Sequence, residues 1–433
     1  MSYSEKTYFL RDAIHSDIAF ETKFFALIST SEFQRLSRIK QLSSEYMVFP
    51  TALHNRFSHS IGTFFVMGKL IERLEDALKA HDVVVTSEQK DLALCSALLH
   101  DIGHGPFSHT FEKITGDYAH EYWTVQILQN EHTEIHQALR KNFGEDFISK
   151  LVGIFTDKNF KQEDTIITLI SQLISSQMDA DRMDYLLRDS YFTGVSTGLY
   201  DLHRLIEAID VAKVDGRLRI CVSEKYVSSI EEYIMARFYM HKEAYQHPLK
   251  RQLENIVQKI FLRAKELYLE GKEIYCDEII VKLFEHRMDV DSYLQMDDGF
   301  LMYHIAKWKN QDDFVLHALC RAFVDRKKFE RYRGEGTEKT LAERLNEIRL
   351  SQGKSEVDWE DEYCYIKDTV TIPIYDRRKD NIWVKLKSGE VVDITEGSYL
   401  FGNMNMEPFV RTNEYYHKGM LEHLFDIVLD KEL

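Results

Sequence analysis

The stretch that most restricts the fold of this chain is His100-Asp101-Ile102-Gly103-His104-Gly105-Pro106-Phe107-Ser108-His109, directly after an apolar run from Leu92 to Leu99. A helix apolar almost all round belongs at the centre of a helical domain. It must end at Gly103 and Gly105-Pro106, because neither residue type continues a helix. Three imidazoles and a carboxylate are thereby set on a turn-rich segment at the end of a buried helix. That combination suits a metal-assisted site better than a core helix or a solvated loop. The His100-Asp101 pair alone describes a helix-terminal cap equally well.

Around this segment the pattern is helical. Phe57, Ile61, Phe64, Gly68, Ile71 and Leu78 have the 3–4 spacing of a buried helix face. Thr86 with Gln89 has the form of a capping box, opening the helix that runs from Glu88 to about Leu99. Further helices are predicted over Glu163–Asp189, Leu202–Val211, Ser228–Glu243 and Leu249–Glu270. One β-like interruption, Leu218 to Val222, follows the turn signal Asp215-Gly216. Helical pattern resumes to about Ile348. From Tyr363 to Tyr399 alternation favours strands, with Lys387-Ser388-Gly389 as a turn, and a helix is predicted over Met406–Leu429. The expected fold is mainly α: a helical domain over 1–348, with its motifs within 54–190, and a smaller α+β region over 349–433.

Composition narrows the function. The 433 residues, 44% hydrophobic, suffice for one large core or two smaller ones. A net charge of −16 argues against a general nucleic-acid grip, since phosphate neutralisation needs clustered Lys and Arg. A focused basic pocket for a small polyphosphate stays open. The five cysteines are far apart with no CxxC pair, which reads as reduced thiols. Residues Met1 to Leu10 lack a signal-peptide core, and no run approaches the roughly 18 apolar residues that span a bilayer. The expectation is a soluble cytoplasmic protein.

Two further segments carry chemistry. Asn55-Arg56-Phe57-Ser58-His59-Ser60 brings a histidine to the start of a buried helix. Asp179-Ala180-Asp181-Arg182-Met183-Asp184-Tyr185 brings carboxylates, with Asp181, Tyr185 and Arg188 sharing one helix face. Taken alone, that segment reads sooner as a surface ion-pair ladder such as Asp184–Arg188.

Together, Asn55-Arg-Phe-Ser-His59, His100-Asp-Ile-Gly-His104-Gly-Pro-Phe-Ser-His109 and Asp181-Arg-Met-Asp-Tyr185-Leu-Leu-Arg-Asp189 resemble the ordered signature of the HD-domain deoxynucleoside triphosphate triphosphohydrolases. That family includes the vertebrate sterile-alpha-motif/HD enzyme and bacterial relatives. The resemblance runs from about Phe33 to Tyr332 and includes Gln41-Leu42, Val48-Phe49-Pro50 and Ala244-Tyr245-Gln246-His247. It implies an HD-type helical bundle that splits a dNTP into deoxynucleoside and inorganic triphosphate. It implies metal ligation by His59, His100, Asp101 and Asp181. His104, His109 and His120 would line the triphosphate and the reacting phosphorus. His109 is the implied general acid, with Glu112 one helical turn on to keep it protonated. Arg56, Arg182, Arg237 and Tyr185 would meet phosphates; Gln41, Leu42, Asp189 and Tyr245 would surround sugar and base. Outside the motif, Arg237 reads as a solvated-face residue and Tyr245-Gln246-His247 as a helix terminus.

Two imidazoles and two carboxylates admit manganese, iron, zinc or nickel, and Mg²⁺ would accompany the triphosphate. The resemblance also implies a homo-oligomer, a tetramer, with a nucleotide effector at a subunit interface. The effector-binding acid and base that flank Phe33-Gln34-Arg35-Leu36 in regulated members are Ser29 and Ser37 here, and Glu330 stands where a lysine is expected. Neither serine can pair with a guanine edge as a carboxylate or guanidinium does, which speaks against guanine activation. Two alternatives stand beside this reading. The first is another HD hydrolase, acting on a cyclic dinucleotide, an alarmone or a nucleoside monophosphate; the chain lacks the Gly-Tyr-Pro motif of the cyclic-dinucleotide enzymes and the Glu-Asp pair of the alarmone hydrolases. A catalytically silent nucleotide sensor would show damage at a ligand or at the acid, and each of those residues is present.

Overall fold

The structure, a computed structural model, describes residues 6–116, 118–157, 160–334, 339–376 and 381–427, and leaves the side chains of residues 109, 115, 162 and 163 undescribed. It is mainly α, with small sheets at the start, middle and end of the chain. Against the helical reading of the N-terminal part, the chain opens on an antiparallel hairpin, β1 (Thr7–Asp12) and β2 (Ser16–Glu21). Ile18 and Phe20 alternate inward on β2, while the carboxylate of Asp12 accepts the Ile14 and His15 amides and shapes the turn.

The helix predicted from the 3–4 spacing spans Arg56–Leu78, and Asn55 caps it by accepting the Ser58 amide. It packs against the helix Ser87–Leu99, which opens on the expected Thr86/Gln89 capping box. Val66, Met67, Leu70 and Leu74 from the first helix and Ala93, Leu98 and Leu99 from the second belong to one buried cluster. A second cluster forms around the helix Pro248–Leu269. Phe107 reaches into it from the His-rich segment, and Phe111 and Trp123 from the two helices that follow, so that segment is held between the two cores.

Several boundaries differ from the sequence reading. The helix expected over Glu163–Asp189 is broken into Thr165–Ile174 and Ala180–Thr193. Asp164 and Asp179 each take amides at the start of a new helix, and such side chains compete with a continuous ladder. The helix expected over Leu202–Val211 stops at Ala208. The chain there becomes β3 (Ile209–Val214), which pairs with β4 (Arg217–Ser223) through the two positive-φ residues Asp215 and Gly216. The helix Val227–Met240 runs on into a π-turn over His241–Tyr245, so Tyr245 closes a widened turn before Pro248 starts the next helix. In place of one helix over Met406–Leu429 there is β9 (Phe409–Tyr416) and a short helix Lys418–Phe425; Leu429 lies outside the described residues. The alternating, β-rich sequence Phe409-Val-Arg-Thr-Asn-Glu-Tyr-Tyr416 explains the strand.

The strands expected near the C-terminus are β6 (Tyr365–Ile372), β7 (Trp383–Lys385) and β8 (Val391–Asp393). β7 and β8 extend the β3–β4 hairpin, with β4 and β7 parallel. β9 lies between β6 and the short β5 (Glu330–Arg331). No helix among the described residues is long and apolar enough to cross a membrane.

Candidate metal centre and substrate cavity

His59 comes from the first turn of Arg56–Leu78, His100 and Asp101 from the end of Ser87–Leu99, and Asp181 from the first turn of Ala180–Thr193. The helix break at Ser175–Asp179 is what delivers Asp181 at a helix start. The Nε2 of His59 lies 3.2 Å from Nε2 of His100, 2.9 Å from Asp181 and 3.7 Å from Asp101. His100 Nε2 lies 3.3 Å from Asp101 and 3.6 Å from Asp181. His59, His100 and Asp101 have the mutual spacing of a metal-holding group.

The far nitrogens fix the tautomers. His59 Nδ1 donates to Asp184 at 2.8 Å, and His100 Nδ1 donates to the Ala97 carbonyl at 2.8 Å. Both Nε2 lone pairs therefore face one point, together with two carboxylates, and that donor set fits a divalent cation. Burial disfavours the charged form of His59, yet Asp181 and Asp184 raise it to about 10. Burial also opposes charge on Asp101, but Arg56 and His100 hold it well below the usual carboxylate range.

Asp184 is the hub behind the centre. Arg188 bonds it through Nε and Nη2, each at 2.8 Å, and His15 Nε2 lies 2.6 Å away on the hairpin turn. Arg188 continues to Asp12 at 2.7 Å. The Asp184–Arg188 pair is therefore fully buried and not the surface ladder its spacing also allows. Arg188 turns away from the cavity that Asp181 and Tyr185 line. Gly62 makes the approach possible: a Cβ there would lie 2.0 Å from Asp184 Oδ1.

A cavity of about 600 Å³ opens beside the centre. At one end Arg56 donates to Asp101 at 2.5 Å and to Ser108 Oγ at 2.8 and 3.0 Å. Phe107 and Ser108 both have positive φ, 54° and 51°, an unfavourable backbone for non-glycine residues, and they aim Ser108 at Arg56. His104 Nε2 stands 3.3 Å from Asp101, and its ring stacks on His120 at 3.8 Å. Burial, then the Arg56 charge, drives His104 well below the usual imidazole range, so it is neutral. His120 Nδ1 is held by Glu112 at 2.7 Å. Gly103 lets this loop close on the neighbouring helix, since a Cβ would meet the His120 carbonyl at 2.2 Å. His109 opens the helix His109–Thr115, and its side chain lies outside the described residues.

Arg182 is gripped by Asp179 and the Ser176 carbonyl and lines the cavity with Tyr185. Gln41, Leu42, Asp189 and Tyr245 line the same cavity. Asp189 accepts from Tyr245 at 2.8 Å and is 2.7 Å from His54. Arg237 is not among the lining residues; it reaches toward Gln177 Oε1 at 3.4 Å. Residues that the sequence reading did not single out also contribute: His15, His54, Glu45 and Lys250. His54 was within reach of sequence reasoning because it abuts Asn55-Arg56; His15 gives no local signal, as its partner is 169 positions away.

Fold and site together define an HD-domain protein, and the chain belongs to that family, whose model matches residues 56–216. Among individual relatives, the uncharacterized Bacillus subtilis protein YwfO is 37% identical over 325 residues, covering 74% of this chain and 70% of that protein. The zebrafish (Danio rerio) deoxynucleoside triphosphate triphosphohydrolase SAMHD1 is 30% identical over 278 residues, 58% of this chain but only 44% of its own length. A crystal structure of a phosphohydrolase from Bacteroides thetaiotaomicron superposes with a TM-score of 0.78 at 27% identity, covering 95% of this chain and 100% of that one.

Proposed function

We propose that this protein is a metal-dependent dNTP triphosphohydrolase, converting dNTP and water to deoxynucleoside and inorganic triphosphate. The observation that carries this reading is the convergence of His59, His100, Asp101 and Asp181 at the edge of a cavity whose near wall also holds Arg56, His104 and Arg182. These four residues would hold a manganese, iron, zinc or nickel ion, which when bound polarises a phosphoryl oxygen and acidifies water. Mg²⁺ would travel with the triphosphate.

The remaining work falls to side chains. Arg56 and Arg182 are already oriented by carboxylates and bind phosphate oxygens with their remaining donors. Neutral His104 adds a hydrogen bond without a full charge. The departing 5′-oxygen needs a proton. His109 is the assigned donor by family resemblance, and His120, held by Glu112, assists on the same side. Asp189, Tyr245, Gln41 and Leu42 enclose sugar and base. Arg237, on the helix Val227–Met240 beside Gln177, is the further phosphate ligand that the resemblance implies.

A homotetramer and a nucleotide effector between subunits complete the proposal, in a cytoplasmic setting. Ser29 and Ser37 donate to the Phe25 and Gln34 carbonyls, and Glu330 accepts from Tyr416, which supports an effector not specific for guanine. The test is ion-exchange separation of products from each dNTP, singly and mixed, with Mn²⁺ or Mg²⁺. Deoxynucleoside plus intact triphosphate is expected, absent with Asp101→Ala. Release of monophosphate, or no product from any mixture, would refute it.

A further inference from the structure

A second cavity, of about 400 Å³, is lined by the helix Pro248–Leu269 and β6 (Tyr365–Ile372). Its charge is opposite to that of the chain. Four lysines line it, Lys113, Lys259, Lys265 and Lys367, against the one carboxylate of Glu360. In a protein of net charge −16, that concentration makes a local positive field. None of these residues is among those that the resemblance assigns to substrate, metal or effector.

One of the four is neutralised: Lys367 pairs with Glu360 at 2.6 Å. Lys259 donates to the Glu362 carbonyl at 2.9 Å, and Lys265 to Nε2 of His286 at 2.7 Å; neither acceptor carries a negative charge. Lys113 has no hydrogen bond or ion pair among the described residues. Of the acids whose field reaches it, Glu254 is held by Lys250 at 2.8 Å and Asp368 by Arg251 at 2.6 Å. Burial pushes Lys259 below the usual ammonium range. A cation withdrawn from water in this way is ordinarily satisfied by an anion.

The rest of the lining narrows the ligand. Asn255 and Gln258 offer neutral hydrogen-bonding groups, while Phe261, Leu262 and Phe284 give an apolar flank. Lysines bind phosphate oxygens as point charges, and the volume is that of a small-molecule site. The helix His109–Thr115 joins this cavity to the first. Lys113 lines both, Ile114 lines the second, and Glu112 holds Nδ1 of His120 at 2.7 Å.

We propose that this cavity is a site for a phosphate chain, that of inorganic triphosphate or of a nucleoside triphosphate, held within one subunit by Lys113, Lys259 and Lys265. Filling it fixes the helix His109–Thr115 and so alters turnover in the first cavity. That coupling, unlike the binding, rests on the triphosphohydrolase reading.

The test is calorimetric titration of the full-length protein with sodium tripolyphosphate in magnesium-free buffer, repeated with Lys259→Gln, Lys265→Gln and Arg56→Gln. A site is expected that each lysine variant weakens about tenfold, as loss of one charged hydrogen bond does, and that Arg56→Gln leaves within about twofold. Lys259→Arg should restore the affinity. Lys265→Gln, at a partly exposed position, decides the matter if the Lys259 variants fail to fold. A titration with dATP on Asp101→Ala identifies the source: tighter binding than tripolyphosphate at this site assigns the nucleotide, and equal or weaker binding assigns the free chain. No site with this lysine dependence, for either probe, overturns the inference. With dNTP saturating, tripolyphosphate should change kcat about twofold or more in the wild type and not in Lys265→Gln. A change in KM alone, which is competition in the first cavity, overturns the coupling. A wild type that hydrolyses no dNTP yet keeps the lysine-dependent site removes the triphosphohydrolase reading and leaves the binding site standing.

Discussion

At the residue scale, the centre is built from side chains that each have a second partner. His59 is held by Asp184, His100 by the Ala97 carbonyl, and Arg56 by Asp101 and Ser108. Removal of one such partner should weaken the function without unfolding the chain. Asp101→Ala is expected to abolish metal-dependent turnover while leaving the helical circular dichroism spectrum intact. Glu45 supplies a pH prediction. Its folded carboxyl is raised from 4.5 to about 8, so the native state holds a proton that the unfolded state has released. Stability therefore falls as pH rises through that window and levels off above it, by on the order of a few kcal/mol. Urea melts at pH 5 and pH 8 should show this loss in the wild type and little of it in Glu45→Gln.

At the element scale, the N-terminal hairpin belongs to the metal centre. His15 and Asp12 hold Asp184 and Arg188, and so set the ring of His59. His15→Ala should lower affinity for the transition metal about 10–100-fold, as loss of a ligand's supporting bond does elsewhere; titration calorimetry of the metal-stripped protein reads this directly. Gly62→Ala forces a Cβ against Asp184 and should cost about 1–3 kcal/mol in a thermal melt, with metal affinity falling too. These elements also show what was legible in the sequence. The helices Arg56–Leu78 and Ser87–Leu99 were readable because their apolar spacing and caps are local. The same holds for the β3–β4 turn at Asp215-Gly216. The hairpin β1–β2 was not, since its inward residues acquire meaning only against helices far along the chain. The helix break before Asp181 was hidden because Ile, Leu and Ser in 165–176 continue a helical period until the Asp179 cap intervenes.

At the scale of the whole molecule, two hydrophobic cores meet at the His-rich segment, and the cavity opens where they meet. The net charge of −16 surrounds a pocket that carries Arg56 and Arg182 among its lining residues, so substrate binding should be local and not a property of the surface. Light scattering of the purified protein should give the mass of a tetramer, and a monomer at micromolar concentration would remove the inter-subunit effector from the account. The central claim is attack of water on the α-phosphorus with departure of the 5′-oxygen. Hydrolysis in ¹⁸O-enriched water, followed by mass spectrometry of both products, tests it directly. The account predicts one heavy oxygen in inorganic triphosphate and none in the deoxynucleoside. Heavy oxygen in the deoxynucleoside, or in a monophosphate released with pyrophosphate, would contradict it.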